Sequence, residues 1–460
     1  MTGLGALGGL YFSGRPTFAS SVYHKDRFFI FCNFGGGWDL LLGLDPRDPT
    51  IYPASAIAQT QIQLDYDRID GQLAHTDGSP NPNGASLNSL GLITTDSNGN
   101  PFSNQKMRFG PAIGNMRNHT DCIAVVNGMS MNTLSHTVGQ RYILTGRPPE
   151  GLNANGSSMA TWLAYLLGQE NPIPNLVFNL ETYNRDVDVW ASGMRVSSIA
   201  DLVQSLRPGE FQLSATEMEQ IDHLMLEFAS RDVSERSYNL RAANTNRMAA
   251  NNLIDYRYDE LMNLSANTPE MMAFRDYFGV NPNDLGSPQA QAASACLAIT
   301  NKVSRTVSVQ ASGDLDTHGQ NWADFQAINQ QAGWNVVARM IDYLKSVEYE
   351  DTGETWMEHV TILCTSDFSR TPLINPSGGR DHHLLGSCLM AGAGIVPGVY
   401  GESTNVGHRP FTTNLLTGET DENGEVILPQ HIARTLFKIA GVEDDISRLR
   451  VDPITAMLST

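Results

Sequence analysis

Arg27–Phe34 reads RFFIFCNF and runs straight into Gly35-Gly36-Gly37-Trp38-Asp39. A short, near-continuous apolar run is the pattern of a strand covered on both faces, as at the centre of a parallel sheet. The glycines mark a loop at its C-terminal end, and Asp39 follows. Further along, Cys122–Asn127 (CIAVVN), Asn175–Leu180 (NLVFNL) and Val360–Cys364 (VTILC, leading to Ser366-Asp367) also read as buried strands. Val303–Val309 alternates apolar and polar residues as a strand does, and Cys388–Ala391 reads as one more.

Between the strands the period changes. Phe325, Ile328, Ala332, Val336, Met340 and Leu344 would line one face of a helix, and Ile432, Leu436, Phe437 and Ile439 mark another, stopped near Gly441. Ser214 and Glu217 form a capping-box pattern, followed by Met218, Ile221, Leu224, Met225 and Phe228 at helical spacing. Residues 211–298 therefore read as a mainly helical insertion whose Met and aromatic side chains are expected in a core. Residues 76–106 are rich in Asn, Ser, Gly, Pro and Asp and read as a long surface loop. Strands alternating with helices give an α/β sandwich with a mainly parallel sheet, in one large domain over residues 26–460.

The chain has 460 residues, and its formal charge is 30 − 49 = −19. That balance argues against a general nucleic-acid partner, which needs clustered Lys and Arg, and against an anionic membrane surface. No apolar run reaches the ~18 to 20 residues of a membrane-spanning helix. The five cysteines form no CxxC pair, and their odd number excludes a fully paired disulfide framework. Cys32, Cys122, Cys364 and Cys388 lie in apolar runs and read as small buried hydrophobes. Residues 1–14 carry no acidic or basic side chain, and Thr17-Phe18-Ala19-Ser20 suits a signal peptidase. Residues 1–25 are thus expected to be the remnant of an export signal or an N-terminal arm.

Ligands of open α/β sheets sit at the C-terminal ends of strands. Asp39, Asp314 with Asp316 and His318, Asp367 with Arg370, and Ser135-His136-Thr137 all follow such strands, and Asp381-His382-His383 comes shortly after. Singly, each is as well explained as a turn former, a helix cap or a hydrogen-bonded structural residue. Together they are the imidazole and carboxylate donors of a divalent-metal site. Asp316 and His318 point the same way if their segment stays extended, and the glycine run would let backbone approach an anion closely.

FGGGWDLLLGLDPRDP (34–49), SHTVGQRYILTGRPPEG (135–151), DTHGQNWADF (316–325), TSDFSRTP (365–372) and GGRDHHLLGSCLMAGAGIVPGVYGE (378–402) resemble, in this order, the DUF1501 family within the alkaline phosphatase/sulfatase-like superfamily. The resemblance implies a three-layer α/β/α sandwich with a metal site at the strand ends. It implies export, commonly by the twin-arginine route, and hence a periplasmic or secreted protein. It further implies hydrolysis or transfer of sulfate or phosphate esters with divalent metal (Zn, Mn, Mg or Ca), by a Ser, Thr or formylglycine nucleophile. Carried over residue by residue, Asp39, Asp316, His318, Asp367, Asp381 and His382 would be metal ligands, and Arg370 would clamp an anionic oxygen.

The chain departs from the pattern in two places. Phe368 stands where alkaline phosphatases have a ligand His after the Asp. Counting nine residues back from Thr145, as sulfatases place their nucleophile, lands on His136, flanked by Ser135 and Thr137. His136 is then a ligand, a nucleophile, or a sign that covalent catalysis was lost. Two functions follow: a metal-dependent hydrolase acting on a small anionic ester, or an inactive fold serving as a binding or assembly protein for a partner at the cell surface.

Overall fold

A computed structural model describes residues 23–69, 91–207, 214–231, 236, 237, 240 and 257–459. Ten strands carry the site: β1 (Phe28–Phe34), β2 (Ile123–Ser130), β3 (Asn175–Phe178), β4 (Met194–Val196), β5 (Thr306–Ser312), β6 (Val360–Ser366), β7 (Ser369–Arg370), β8 (His382–His383), β9 (Leu385–Gly392) and β10 (Gly398–Tyr400). Eight form one sheet in the order β10-β2-β9-β6-β1-β5-β3-β4, and β7 pairs with β8 in a separate short ribbon. Within the eight-stranded sheet only β9 runs antiparallel to its neighbours.

The RFFIFCNF run became β1, between β5 and β6, because both of its faces are needed for packing. Phe28, Ile30, Cys32 and Phe34 enter one core, beneath the helices Pro288–Thr300 and Ala327–Ser346. Phe29 and Phe31 enter a second, with Met159–Leu167 and Pro429–Ile439. Helices thus cover both faces of a mostly parallel sheet, the arrangement that buries such a strand completely. Cys32, Cys296, Cys364 and Cys388 are buried free thiols, and Cys122 is half-buried.

Several expectations change in detail. The helix Ala327–Ser346 is preceded by a π-helical turn, Trp322–Gln326. Trp334, Val337 and Ile341 are buried as fully as Met340, whereas Phe325 is 54% exposed. A helix wedged between the sheet and a neighbouring segment buries more than one stripe. The capping box of Ser214 and Glu217 opens the helix Ala215–Ala229, but Ile221, Leu224, Met225 and Phe228 are exposed rather than packed in a core. The far end of the expected insertion, Pro288–Thr300, belongs to the layer against β5. In the expected long loop, Thr95 pairs with Pro101 across a turn, and Ile93, which pairs with Phe109 just beyond the loop, is buried with Phe102. Residues 76–90 and the expected export signal, except for residues 23–25, lie outside the described residues. Among the described residues no helix is long and apolar enough to cross a membrane.

Candidate metal centre

The ends of β1, β2, β5 and β6 open on the same edge of the sheet, and β9, being antiparallel, starts there. That edge collects the polar residues. His136 is the first residue of the helix His136–Thr145, which follows β2. Asp316 and His318 come from the extended segment after β5, Asp367 follows β6, and the β7–β8 ribbon sets Arg370 opposite His382.

The centre of the group is one atom, Asp316 Oδ1. It lies 3.2 Å from His136 Nε2, 3.0 Å from His318 Nε2 and 3.3 Å from His382 Nε2. Each ring is held from behind through Nδ1: His136 by Asp367 Oδ2 at 2.8 Å, His318 by Asp381 Oδ1 at 2.8 Å, and His382 by the Leu134 carbonyl at 2.6 Å. Carboxylates and carbonyls only accept, so each Nδ1 carries the hydrogen and each neutral ring turns its Nε2 lone pair inward. Arg370 Nη1, which can only donate, lies 3.4 Å from His318 Nε2 and supports that tautomer.

Arg370 reaches Asp316 Oδ1 and, more loosely, His318 Nε2, but among the described residues no cationic side chain meets the Nε2 of His136 or His382. His318 Nε2 and His382 Nε2 are 2.8 Å apart. His136 Nε2 is buried without a hydrogen-bond partner, as is Asp367 Oδ1. Imidazole lone pairs this close to each other call for a further positive charge between them, either a proton or a metal ion. The carboxylate-to-imidazole spacings match the about 3.3 Å between ligands around a tetrahedral zinc-class ion with bonds of about 2.0–2.1 Å. Histidines oriented by acceptors on their outer nitrogens are the usual support of such ligands. His136, Asp316 and His382 offer ligand atoms within 4.8 Å of one another. The donor set therefore fits a divalent metal.

Electrostatics follow from these contacts. Burial works against ionising Asp316, but the Arg370 hydrogen bond and charge, with His136 and His382, outweigh it and hold the carboxyl far below the usual carboxylate range. Burial also opposes charging His136, yet Asp367 and Asp316 raise it above an ordinary histidine. His382 goes the other way: burial lowers it, and neighbouring His136 and Arg370 add to the effect.

A family model described as "Protein of unknown function (DUF1501)" matches residues 65–417. The chain belongs to the DUF1501 family. No curated protein matches it. A solved structure titled "Crystal structure of Ps i-CgsB in complex with k-i-k-neocarrahexaose" overlaps 74% of this DUF1501 chain and 69% of its own, at 8% identity and a TM-score of 0.33, too slight a likeness to bear on fold or function.

In this DUF1501 chain the expected ligand set divides. Asp316, His318 and His382 meet, and His136 joins them. Asp367 and Asp381 stand one step back, as the anchors of His136 and His318. Asp39 is set apart. Its Oδ1 accepts from the Leu41 N–H at 3.0 Å, and its Oδ2 takes Trp322 Nε1 at 2.9 Å and the Arg380 guanidinium at 3.0 Å. Two hydrogen bonds and an ion pair occupy this fully buried carboxylate. Asp314 is exposed in a left-handed turn.

Arg370 differs from the expected anion clamp. It is completely buried, its Nε donates to the Gly37 carbonyl at 3.0 Å, its Nη2 to the Gly36 carbonyl and to Asp316 Oδ1 at 2.7 Å, and its Nη1 to the Arg380 carbonyl at 3.3 Å. All its nitrogens are committed to the protein, so it braces Asp316. The glycine run serves the same purpose. Gly36 has φ 105°, and a Cβ there would come within 2.7 Å of the Asp316 backbone nitrogen. Its close approach is to the protein's own Asp316 loop, and its N–H donates to Asp367 Oδ2 at 3.1 Å.

Ser135 caps the His136 helix without a side-chain cap bond, and no hydrogen bond ties its hydroxyl or that of exposed Thr137 to the cluster. Sequence reasoning missed Arg380 as the partner of Asp39, although it stands in the GGRDHH segment. It also missed the Leu134 carbonyl, for which no side-chain signal exists. A second group, His119, Asp121 and Cys122, lies near β2, but Lys345 Nζ already sits 2.8 and 3.0 Å from the Asp121 oxygens.

Proposed function

We propose that this chain is an exported, metal-dependent hydrolase of sulfate or phosphate esters. One observation carries the reading: three histidines, each locked by an acceptor at Nδ1, turn Nε2 toward the oxygen of a single braced aspartate. Asp316, His136, His318 and His382 would hold the ion. Three imidazoles favour zinc, manganese or similar ions over Mg2+ and Ca2+, which prefer oxygen ligands. When bound, such an ion supplies Lewis-acid stabilisation of charge developing on ester oxygens.

The chain's own residues do the rest. Asp367, Asp381 and Leu134 fix ring orientation, and Arg370 fixes Asp316. Phe368, fully buried, packs with its ring centroid 4.6 Å from that of His136 and 4.5 Å from that of His382, tilted to both, and keeps water off that side of both rings. It stands where a ligand histidine was missing, and His136 supplies an imidazole from the opposite segment. The role left open for His136 is thereby read as that of a ligand. With no hydroxyl tied into the cluster, the geometry favours attack on sulfur or phosphorus by water, releasing inorganic anion and alcohol without an ester on Ser135 or Thr137.

The same lack of a positioned hydroxyl favours a second reading, an inactive fold acting as a binding or assembly protein at the cell surface. Elemental analysis of purified protein, with aryl sulfate and aryl phosphate assays, separates the two. The hydrolase reading expects near-stoichiometric transition metal, turnover abolished by chelator, and at least about 100-fold weaker metal binding in His382→Ala. Ser135→Ala should retain turnover. Protein that binds no metal sinks the hydrolase reading, and metal without turnover of either ester likewise leaves the second.

A further inference from the structure

A groove of about 370 Å³ opens beside the cluster, and its wall includes Asp381 and Asn375. These two residues also hold the metal site: Asn375 Nδ2 donates to the His318 carbonyl and to Asp381 Oδ1, both at 2.9 Å, and Asp381 anchors His318. The groove therefore starts at the residues that support His318. Leu373 and Ile374 give the groove an apolar lining, and Leu373 is 38% exposed there.

Arg409 stands on the same groove. The other arginines near the site are all engaged. Arg370 and Arg380 are buried in protein contacts, and Arg68 is paired with Asp65 and bonded to Gln320 and the Gly378 carbonyl. Arg409 is exposed, and among the described residues no carboxylate or carbonyl accepts from its guanidinium. The one carboxylate in the groove, Asp381, is already satisfied by His318 and Asn375. In a chain of charge −19, an uncommitted guanidinium beside an ester site is placed for an anion that arrives with the substrate.

We infer that this groove binds the body of the ester beyond the group that is cleaved, and that Arg409 holds a second anionic group on it. The preferred substrates are then esters bearing at least two sulfate or phosphate charges. This rests on the ester-hydrolase reading for the first of the two anionic groups.

Unreactive sulfonates test the inference without turnover. Benzenesulfonate is compared with benzene-1,3-disulfonate and biphenyl-4,4′-disulfonate, and the matching phosphonates are run in parallel. Binding to metal-loaded full-length protein is measured for wild type, Arg409→Ala and Arg409→Lys. The expected result is roughly tenfold tighter binding of one disulfonate or diphosphonate than of its single-charge partner, a preference largely erased by Arg409→Ala and partly kept by Arg409→Lys. The sulfonate or phosphonate series with the larger preference identifies the anion. No preference in wild type, an unchanged preference in Arg409→Ala, or an equal loss for singly and doubly charged probes overturns the inference. If the preference holds but neither aryl ester is turned over, the hydrolase reading falls and the anion groove stands.

Discussion

Asp39 and Arg380 are both fully buried, 3.0 Å apart, with the Arg380 guanidinium lying over the Trp322 ring. A buried pair of this kind adds modest net stability, but breaking it strands a charge and costs about 3–5 kcal/mol. Asp39→Ala should therefore lower the denaturant midpoint strongly while the folded fraction keeps its metal. Metal lost with stability unchanged would return Asp39 to the ligand set. Sequence alone showed an aspartate at the end of the central strand, the right place for a ligand. It could not show that a distant arginine folds back onto that carboxylate, because pairing over such a separation leaves no local pattern. Asp316 and His318 were legible for the opposite reason: two residues apart in an extended segment, their side chains share a direction that spacing alone dictates.

The elements are placed as finely as the candidate ligands. His136 reaches the cluster only because its helix docks against the end of β6. Gly139, one turn in, makes that docking possible: a Cβ there would lie 2.3 Å from the Asp367 carbonyl oxygen. Gly139→Ala must push the helix away from the strand end that carries Asp367. The expected cost is about 1–3 kcal/mol in stability and a loss of about 10- to 100-fold in metal affinity, as when an outer partner of a ligating histidine is disturbed. Titration of the metal-free protein with zinc reads the second effect, and unchanged affinity would detach His136 from the site. At this scale the strands were readable, since buried central strands are short apolar runs with few alternatives. The helix faces were less so. A stripe through Phe325 assumes one buried face, yet Phe325 lies in the π-helical turn, where the register shifts, and faces outward. Ala215–Ala229 shows the converse: an apolar period and a capping box specify a helix, but neither says what covers it.

Across the whole molecule, the four candidate ligands come from the segments after β2 and β5 and from the ribbon between β6 and β9. In the sheet these strands span the order β2-β9-β6-β1-β5, so the cluster ties together strands from distant parts of the chain. An ion bound there would contact groups that lie together only in the folded state, and its binding free energy would become folding free energy. Linkage sets the size: a ligand at 100 times its Kd that binds only the native state stabilises it by about 2.7 kcal/mol. Apoprotein prepared with chelator should therefore melt several degrees below protein in excess zinc. Tm should climb with the logarithm of zinc concentration once the site is mostly filled. Mg2+ at equal concentration should do much less, because imidazole donors suit it poorly. His318→Ala should flatten the zinc response while leaving the chelated Tm close to that of the wild-type apoprotein, since His318 is half exposed and contributes little packing. A Tm indifferent to both zinc and chelator would mean that protons alone reconcile the three inward-facing nitrogens with Asp316, and the metal reading would fall with it.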